Sequence, residues 1–244
     1  MSFVRRFERL GDMADLNRAI TTQQKVVRLT SDDHPDKPAG LINLGNSFRC
    51  RFERLGDIAD LDEAITAQQQ AIRLTLDGHP DKPGLFNDLG TPFLRRFERL
   101  GDIIDLNEAI TAQQQAVHLT PDGHAHKPAI LSNLGGSLRT RLSAHPDDAT
   151  FDQAVSAYSQ SAKSSSGTPS VRLTAARMWA TLCFPAHPDE TVDAYSALID
   201  LLPRLVWLGR TVEQQHKDVS TIGDAVMDAA AAAIHFGQFD LALE

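Results

Sequence analysis

The string RFERLGD occurs three times, at Arg6 to Asp12, Arg51 to Asp57 and Arg96 to Asp102, each copy starting 45 residues after the last. The copies belong to a longer unit. The segments running from Arg51 to Thr75 and from Arg96 to Thr120 differ at only four of 25 positions. A fixed period of this size is the signature of a repeat architecture in which each unit buries its apolar face on the next.

Within one unit, Leu41, Leu44, Phe48, Phe52 and Leu55 recur at spacings of three and four, which predicts an amphipathic helix A from about Pro38 to Leu55. Gly56 is placed to end it in the left-handed conformation, and Asp57 opens a tight turn. Leu61, Ala64, Ile65, Gln68, Ala71, Ile72 and Leu74 predict helix B, with Asp60 as its capping residue. In the loop LDGHPDKP, Gly78 and Pro80 break helix B. Asp81 is expected to cap the next helix A, and Pro83 to sit in its first turn. The layout returns at residues 127–142 and 150–163, and more loosely beyond, where Trp179 stands in the place of Leu134 and DETVDAYSALIDLL reads as another helix B.

These residues resemble the tetratricopeptide (TPR) pattern W-x2-L-G-x2-Y. Leu41, Leu44, Gly45 and Phe48 fall on its W, L, G and Y positions. Leu89, Gly90 and Phe93 follow in the next unit, and Leu134, Gly135 and Leu138 in the one after. Ala64 with Ala71, and Ala109 with Ala116, take the alanine positions of helix B; Tyr158 fills an aromatic position that Gln68 and Gln113 leave polar. The period is 45 residues rather than 34, with the surplus in the RFERLGD stretch and in the loop after helix B. The resemblance implies an all-α, right-handed TPR-type α-solenoid of helix pairs.

Residues 1–165 are expected to hold about four repeats, the first incomplete. Residues 166–244 read as degenerate TPR-like helices, resembling the linker that precedes the caspase-like peptidase in TPR proteins with a CHAT domain. Ser2 and Phe3 align with Ser47 and Phe48, so the chain is expected to be cut through repeats, as a fragment or truncated relative would be. Terminal repeats without polar caps predict self-association.

Composition narrows the function. The net charge of −8 is concentrated at residues 187–244, which hold ten acidic and three basic residues, and this disfavours nucleic acid as a partner. No apolar run approaches the ~20 residues of a membrane span, and the charged start MSFVRRFERLGD lacks a signal peptide's apolar core, so a cytoplasmic protein is expected. The AAAAAI run at 229–234 reads as a closely packed helix, and Leu201, Leu202, Leu205, Val206, Trp207 and Leu208 as core under the last repeat or as the face that once met a missing domain.

Three sets of residues invite a functional reading. His34, His79, His124 and His126 suggest a metal, but equivalent residues of stacked helices lie ~8–10 Å apart while ligands of one ion lie ~2 Å from it, so loop capping is expected and no metal or cofactor. Cys50 occupies a slot held by Arg5, Arg95 and Thr140 in other units, and Cys183 has no identified partner, so no catalysis is expected of either cysteine. The columns Arg6, Arg51, Arg96, Arg141 and Arg9, Arg54, Arg99, alternating with Glu8, Glu53 and Glu98, read as a solvated charged surface.

The inner groove implied by the TPR resemblance falls on Ile42, Asn46, Arg49 and Cys50, then Asn87, Thr91, Leu94 and Arg95, then Ser132, Gly136, Arg139 and Thr140. Asn46 and Arg49 suit recognition of a peptide backbone or carboxylate. Ile42 stands where the family's clamp for a C-terminal carboxylate carries lysine, so that clamp is not expected. The reading is a non-catalytic protein–protein interaction scaffold binding a protein or peptide along helix A. Its alternatives are the recognition and autoinhibitory region of a CHAT-type cysteine peptidase, and an independent hydrolase using Cys50 or Cys183.

Overall fold

A computed structural model describes residues 11–203 continuously, together with Phe7, Gly223, Met227, 230–232 and 234–237. Among the described residues the regular structure is helical: α1 (Met13–Leu29), α2 (Lys37–Leu55), α3 (Ile58–Leu74), α4 (Lys82–Leu100), α5 (Ile103–Leu119), α6 (Lys127–Ala144), α7 (Asp148–Lys163), α8 (Pro169–Cys183) and α9 (Pro188–Ile199). The helices α2, α4 and α6 are the expected A helices; α1, α3, α5 and α7 are the B helices. The chain forms two compact units, Met1–Leu119 and Thr120–Glu244. In the first, α2 packs on α3 and α4 on α5 as pairs, with α1 against α2 and α3 against α4 joining successive pairs. In the second, α6, α7, α8 and α9 pack consecutively, with α8 also against α6 and α9 against α7. This is the helix-pair stacking of a TPR-type α-solenoid.

The A-to-B corner follows from two residues. Gly56 and Gly101 take φ of 72° and 73°, a left-handed backbone that costs a glycine little, and each donates its N–H to a phenylalanine carbonyl four residues back. The aspartate that follows caps helix B directly: Asp12, Asp57 and Asp102 accept the N–H of Ala14, Ala59 and Ile104 at 2.9, 3.1 and 3.0 Å. Helix B therefore starts at Ile58, with its cap three residues before Asp60, and Asp60 is not the cap it was expected to be. It lies in the first turn, 2% exposed.

A carboxylate buried there needs a countercharge, and Arg51 supplies it. Its Nε and Nη2 donate to Asp60 at 2.9 and 2.5 Å, and its Nη1 reaches Asn17 of the preceding B helix at 3.2 Å. One period later, Arg96 donates to Asp105 at 2.8 and 2.5 Å and to Asp62 at 2.6 Å. The Arg51 and Arg96 positions are therefore not a solvated surface: they fasten the A helix to its own B helix and to the one before. Leu55, expected in the buried stripe, is 62% exposed at the last turn of α2, where the chain leaves for the corner; Phe52 is half-buried.

The B-to-A loop uses lysine. Asp81 caps no N–H with its side chain. Instead Lys37, Lys82 and Lys127 send Nζ back to the carbonyls of Thr30, Thr75 and Thr120 at 2.6, 3.0 and 2.8 Å, satisfying the end of each preceding B helix. Pro38, Pro83 and Pro128 sit in the first turns as expected.

The glycine of the TPR pattern exists for contact. A Cβ on Gly45 or Gly90 would stand 3.0 or 2.8 Å from the Cγ of Gln68 or Gln113, and one on Gly135 would stand 2.8 Å from the Tyr158 ring. Trp179, 1% exposed, centres the core of the second unit with Tyr158, Leu198, Leu201 and Ala232. Among the described residues of the alanine run Ala232 is buried, while Ile234 is exposed. Leu205, Val206, Trp207 and Leu208 lie outside the described residues, as do Arg6 and Arg9.

Candidate binding surface on the A helices

In the first unit the sequence-predicted groove residues divide by depth. Ile42 packs beside Leu41, Ala67 and Ala71, Cys50 beside Phe48 and Leu16, and Leu94 beside Phe93 and Ala109, so these three side chains hold helices together. Asn46, Arg49, Asn87 and Thr91 are half-buried, and Arg95 is exposed. The arginines already hold acids of their own helices: Arg49 bonds Glu53 at 2.5 Å and Arg95 bonds Glu98 at 2.7 Å.

The structure brings Arg49 and Asn87 together around a residue that sequence reasoning missed. Asp88, half-buried on α4, accepts a hydrogen bond from the Asn87 side chain and lies in the field of Arg49. Burial nevertheless holds its carboxyl above the usual aspartate range, outweighing both. Asp88 forms no salt bridge of 4.0 Å or less among the described residues. A signal was available: Asn43 and Asn133 occupy the same position one period to either side, so the charge belongs to one copy alone.

Four residues beyond Asp88 the helix carries Pro92, fully buried within α4. Proline has no N–H, so the Asp88 carbonyl loses its partner in the helical ladder. One period earlier Ser47 holds that position, and its hydroxyl donates to the Asn43 carbonyl at 2.9 Å.

In the second unit Ser132 is half-buried and Arg139 exposed. Arg139 hydrogen-bonds the Tyr158 hydroxyl, partly offsetting the burial that raises that phenol's pKa, and Thr140 donates to the Gly136 carbonyl at 3.0 Å.

The remaining candidates behave as framework. His34, His79 and His124 accept the N–H of Asp36, Asp81 and His126 on Nδ1 at 3.1, 3.2 and 3.2 Å, which is the loop capping the sequence suggested. No group of three His, Cys, Asp or Glu side chains suited to a metal gathers among the described residues. Cys183 is fully buried, and its thiol is pushed up to about 12 by burial and by Glu190, against the Trp179 contact, so a thiolate is not available at neutral pH. No described helix is long and apolar enough to cross a membrane.

Among solved structures, the fold is similar to BtubC (BKLC) from P. vanneervenii, with a TM-score of 0.58 and 12% identity over 99% of this chain and 87% of that one. It is also similar to the nearly identical TPR-like repeats of a Podosopora anserina protein described as a kinesin light chain, with a TM-score of 0.57 and 15% identity over 85% of this chain and 93% of that one. The fold is a TPR-like helical repeat. No protein-family model matches the chain, and no curated protein matches it. The stretches that resemble a CHAT-linked linker, 193–219 and 228–244, lie in part outside the described residues.

Proposed function

We propose that this chain is a non-catalytic interaction scaffold that binds a protein or peptide along its A helices. The observation that carries the reading is the contrast between frame and surface. Corner, clamp and loop residues are held nearly constant from copy to copy, while the half-buried polar positions vary: Asn46 becomes Thr91, and Arg49 becomes Leu94. A stacked helix frame presents such positions at fixed spacing, the usual basis of recognition by repeat proteins. Asn46, Arg49, Asn87, Thr91 and Arg95 form the surface in the first unit, while Ile42 packs beneath it; Ser132 and Arg139 are its candidates in the second. Residues 1–165 carry these positions, and 166–244 serve as a supporting arm.

Affinity capture from a native extract, with the full chain and with an Asn46→Ala, Arg49→Ala, Arg95→Ala variant, tests the assignment. The same prey should bind the parent chain and be lost from the variant, with the circular dichroism spectrum unchanged. Retention of every prey by the folded variant excludes the surface.

A further inference from the structure

Apart from the A-helix surface, the corners of the first unit carry exposed side chains that the fold does not use. Residues 37–50 and 82–95 differ at nine of 14 positions, and the drift reaches the buried Leu41, which becomes Phe86; yet the RFERLGD that follows each is identical. Within that string Arg51 and Arg96 hold buried aspartates, Glu53 and Glu98 pair with Arg49 and Arg95, and glycine and aspartate build the corner. No such role falls to the arginine and leucine between them. Leu55 and Leu100 are 62% and 58% exposed, and Ile104, just past the second corner, is 63% exposed. Arg54 and Arg99 enter no salt bridge among the described residues. At the same two positions the second unit has Ala144 and His145, and α6 still ends there and is followed by α7, so neither residue is a requirement of the corner.

Successive corners are linked by these arginines. Arg99 reaches back from the end of α4, so that a Cβ on Gly56 would stand 4.0 Å from its Nη2. One period earlier Arg54 reaches back in the same sense, its guanidinium 5.7 Å from the centre of the Phe7 ring. An unpaired cation thus lies between the corner that carries Leu55 and the corner that carries Leu100 and Ile104.

We propose that this edge docks an acidic and apolar segment of a partner protein, with a glutamate or aspartate side chain on Arg99 and apolar side chains to either side, on Leu55 and on Leu100 with Ile104.

The charges choose the occupant. An acid approaching Arg49 or Arg95 has to displace Glu53 or Glu98, whereas one approaching Arg99 displaces nothing. A single exposed ion pair is worth little, so the apolar contacts on both sides are what make the site a site. Exposed leucines scattered singly need no explanation, but three apolar side chains gathered about one free cation form a patch. Asp57 and Asp102 stand on the same corners, each accepting a helix B N–H, so the edge is not broadly basic. That disfavours an anionic membrane or a nucleic acid, both of which need many cations together, and suits one carboxylate set between apolar neighbours.

The test is an array of immobilised peptides in a serine and glycine background, probed with the purified full chain. Each carries two leucines about a central glutamate, glutamine or lysine, with one to four residues between centre and leucine. At the best spacing glutamate should bind about tenfold more strongly than glutamine, the range of one charge-assisted contact, and lysine least. Arg99→Gln should bring glutamate down to the glutamine level. Leu55→Ser with Leu100→Ser should remove binding to both, with the circular dichroism spectrum unchanged, while Leu76→Ser, at a still more exposed leucine in a B-to-A loop, should change nothing. Binding at no spacing, no preference for glutamate, or a preference that survives Arg99→Gln overturns the proposal. None of these outcomes bears on the A-helix surface, which stands or falls by its own capture experiment.

Discussion

The two units solve the same packing problem with different residues. In the first, the A and B helices are joined at the corner by an arginine on a buried aspartate, and at mid-helix by a glutamine laid on a glycine. In the second, the aspartate position is Thr150, which is buried and donates its backbone N–H to Asp147 at 2.8 Å, and the glutamine position is Tyr158, whose ring lies on Gly135. The first unit thus relies on charge and on copies that must stay alike. The second relies on aromatic volume, around Tyr158 and Trp179, and its words are free to drift. Buried ion pairs tolerate no single change, since removing one partner strands the other; apolar cores tolerate substitution that preserves volume.

The sharpest way to break the comparison is at the arginine column. Arg96→Ala strands the buried Asp105 and should lower the unfolding free energy by about 3 kcal/mol, the low end for a buried pair because the guanidinium is 24% exposed. Arg141→Ala, one period on, meets Thr150 at the aspartate position and no buried acid among the described residues, and should cost under about 1 kcal/mol. Denaturant unfolding followed by circular dichroism measures both, and equal losses would show that the two units are held alike.

Next come the glycines. Gly135→Ala drives a Cβ to 2.8 Å from a buried ring and should cost about 2 kcal/mol. Gly90→Ala meets the Cγ of the buried Gln113 at 2.8 Å, an unbranched chain that yields more readily than a ring, and alanine's helix propensity offsets up to about 1 kcal/mol, so the loss should be smaller. The order of the two thermal midpoints decides the point.

Gln68 is 3% exposed and neither its Oε1 nor its Nε2 finds a partner among the described residues. Gln68→Met keeps the volume and removes the stranded polar atoms. It should raise stability by about 1 kcal/mol, read as a shift of the denaturation midpoint at unchanged slope.

The smallest effect is at Asp88. Its folded pKa is raised, so the stability it contributes is fully present below the unfolded aspartate value of about 4 and is lost as pH rises through the higher folded value. Asp88→Asn should therefore be slightly more stable than the parent near pH 7 and lose that advantage below about pH 4. A pH-independent difference would mean that Asp88 is not desolvated.

Much of this was legible in the chain because period, corner and stripe are local properties. Gly56 and Gly101 had to end helices, proline had to open them, and Leu41, Leu44 and Phe48 had to face inward, whatever the rest of the chain did. Leu55 went astray because periodicity does not say where a neighbouring helix stops covering. Asp60 was mistaken for a cap because Asp57 and Asp60 are both plausible candidates in sequence, and only the start of the helix separates them.

By itself, then, the sequence determined the repeat and the helix pairs. Each follows from spacing, which a chain cannot hide. Tertiary structure alone decided which charges are spent and which remain. Arg51 and Arg96 carry the same words as any exposed helix charge, yet each meets an acid from a helix nine residues later, and a second B helix 34 residues earlier. Asp88 differs from its counterparts by one atom group, and its burial beside Asn87 and Arg49 arises only when successive helix pairs are stacked. The energy of a charge depends on the dielectric and on the partners around it, and both are properties of the folded neighbourhood rather than of the residue.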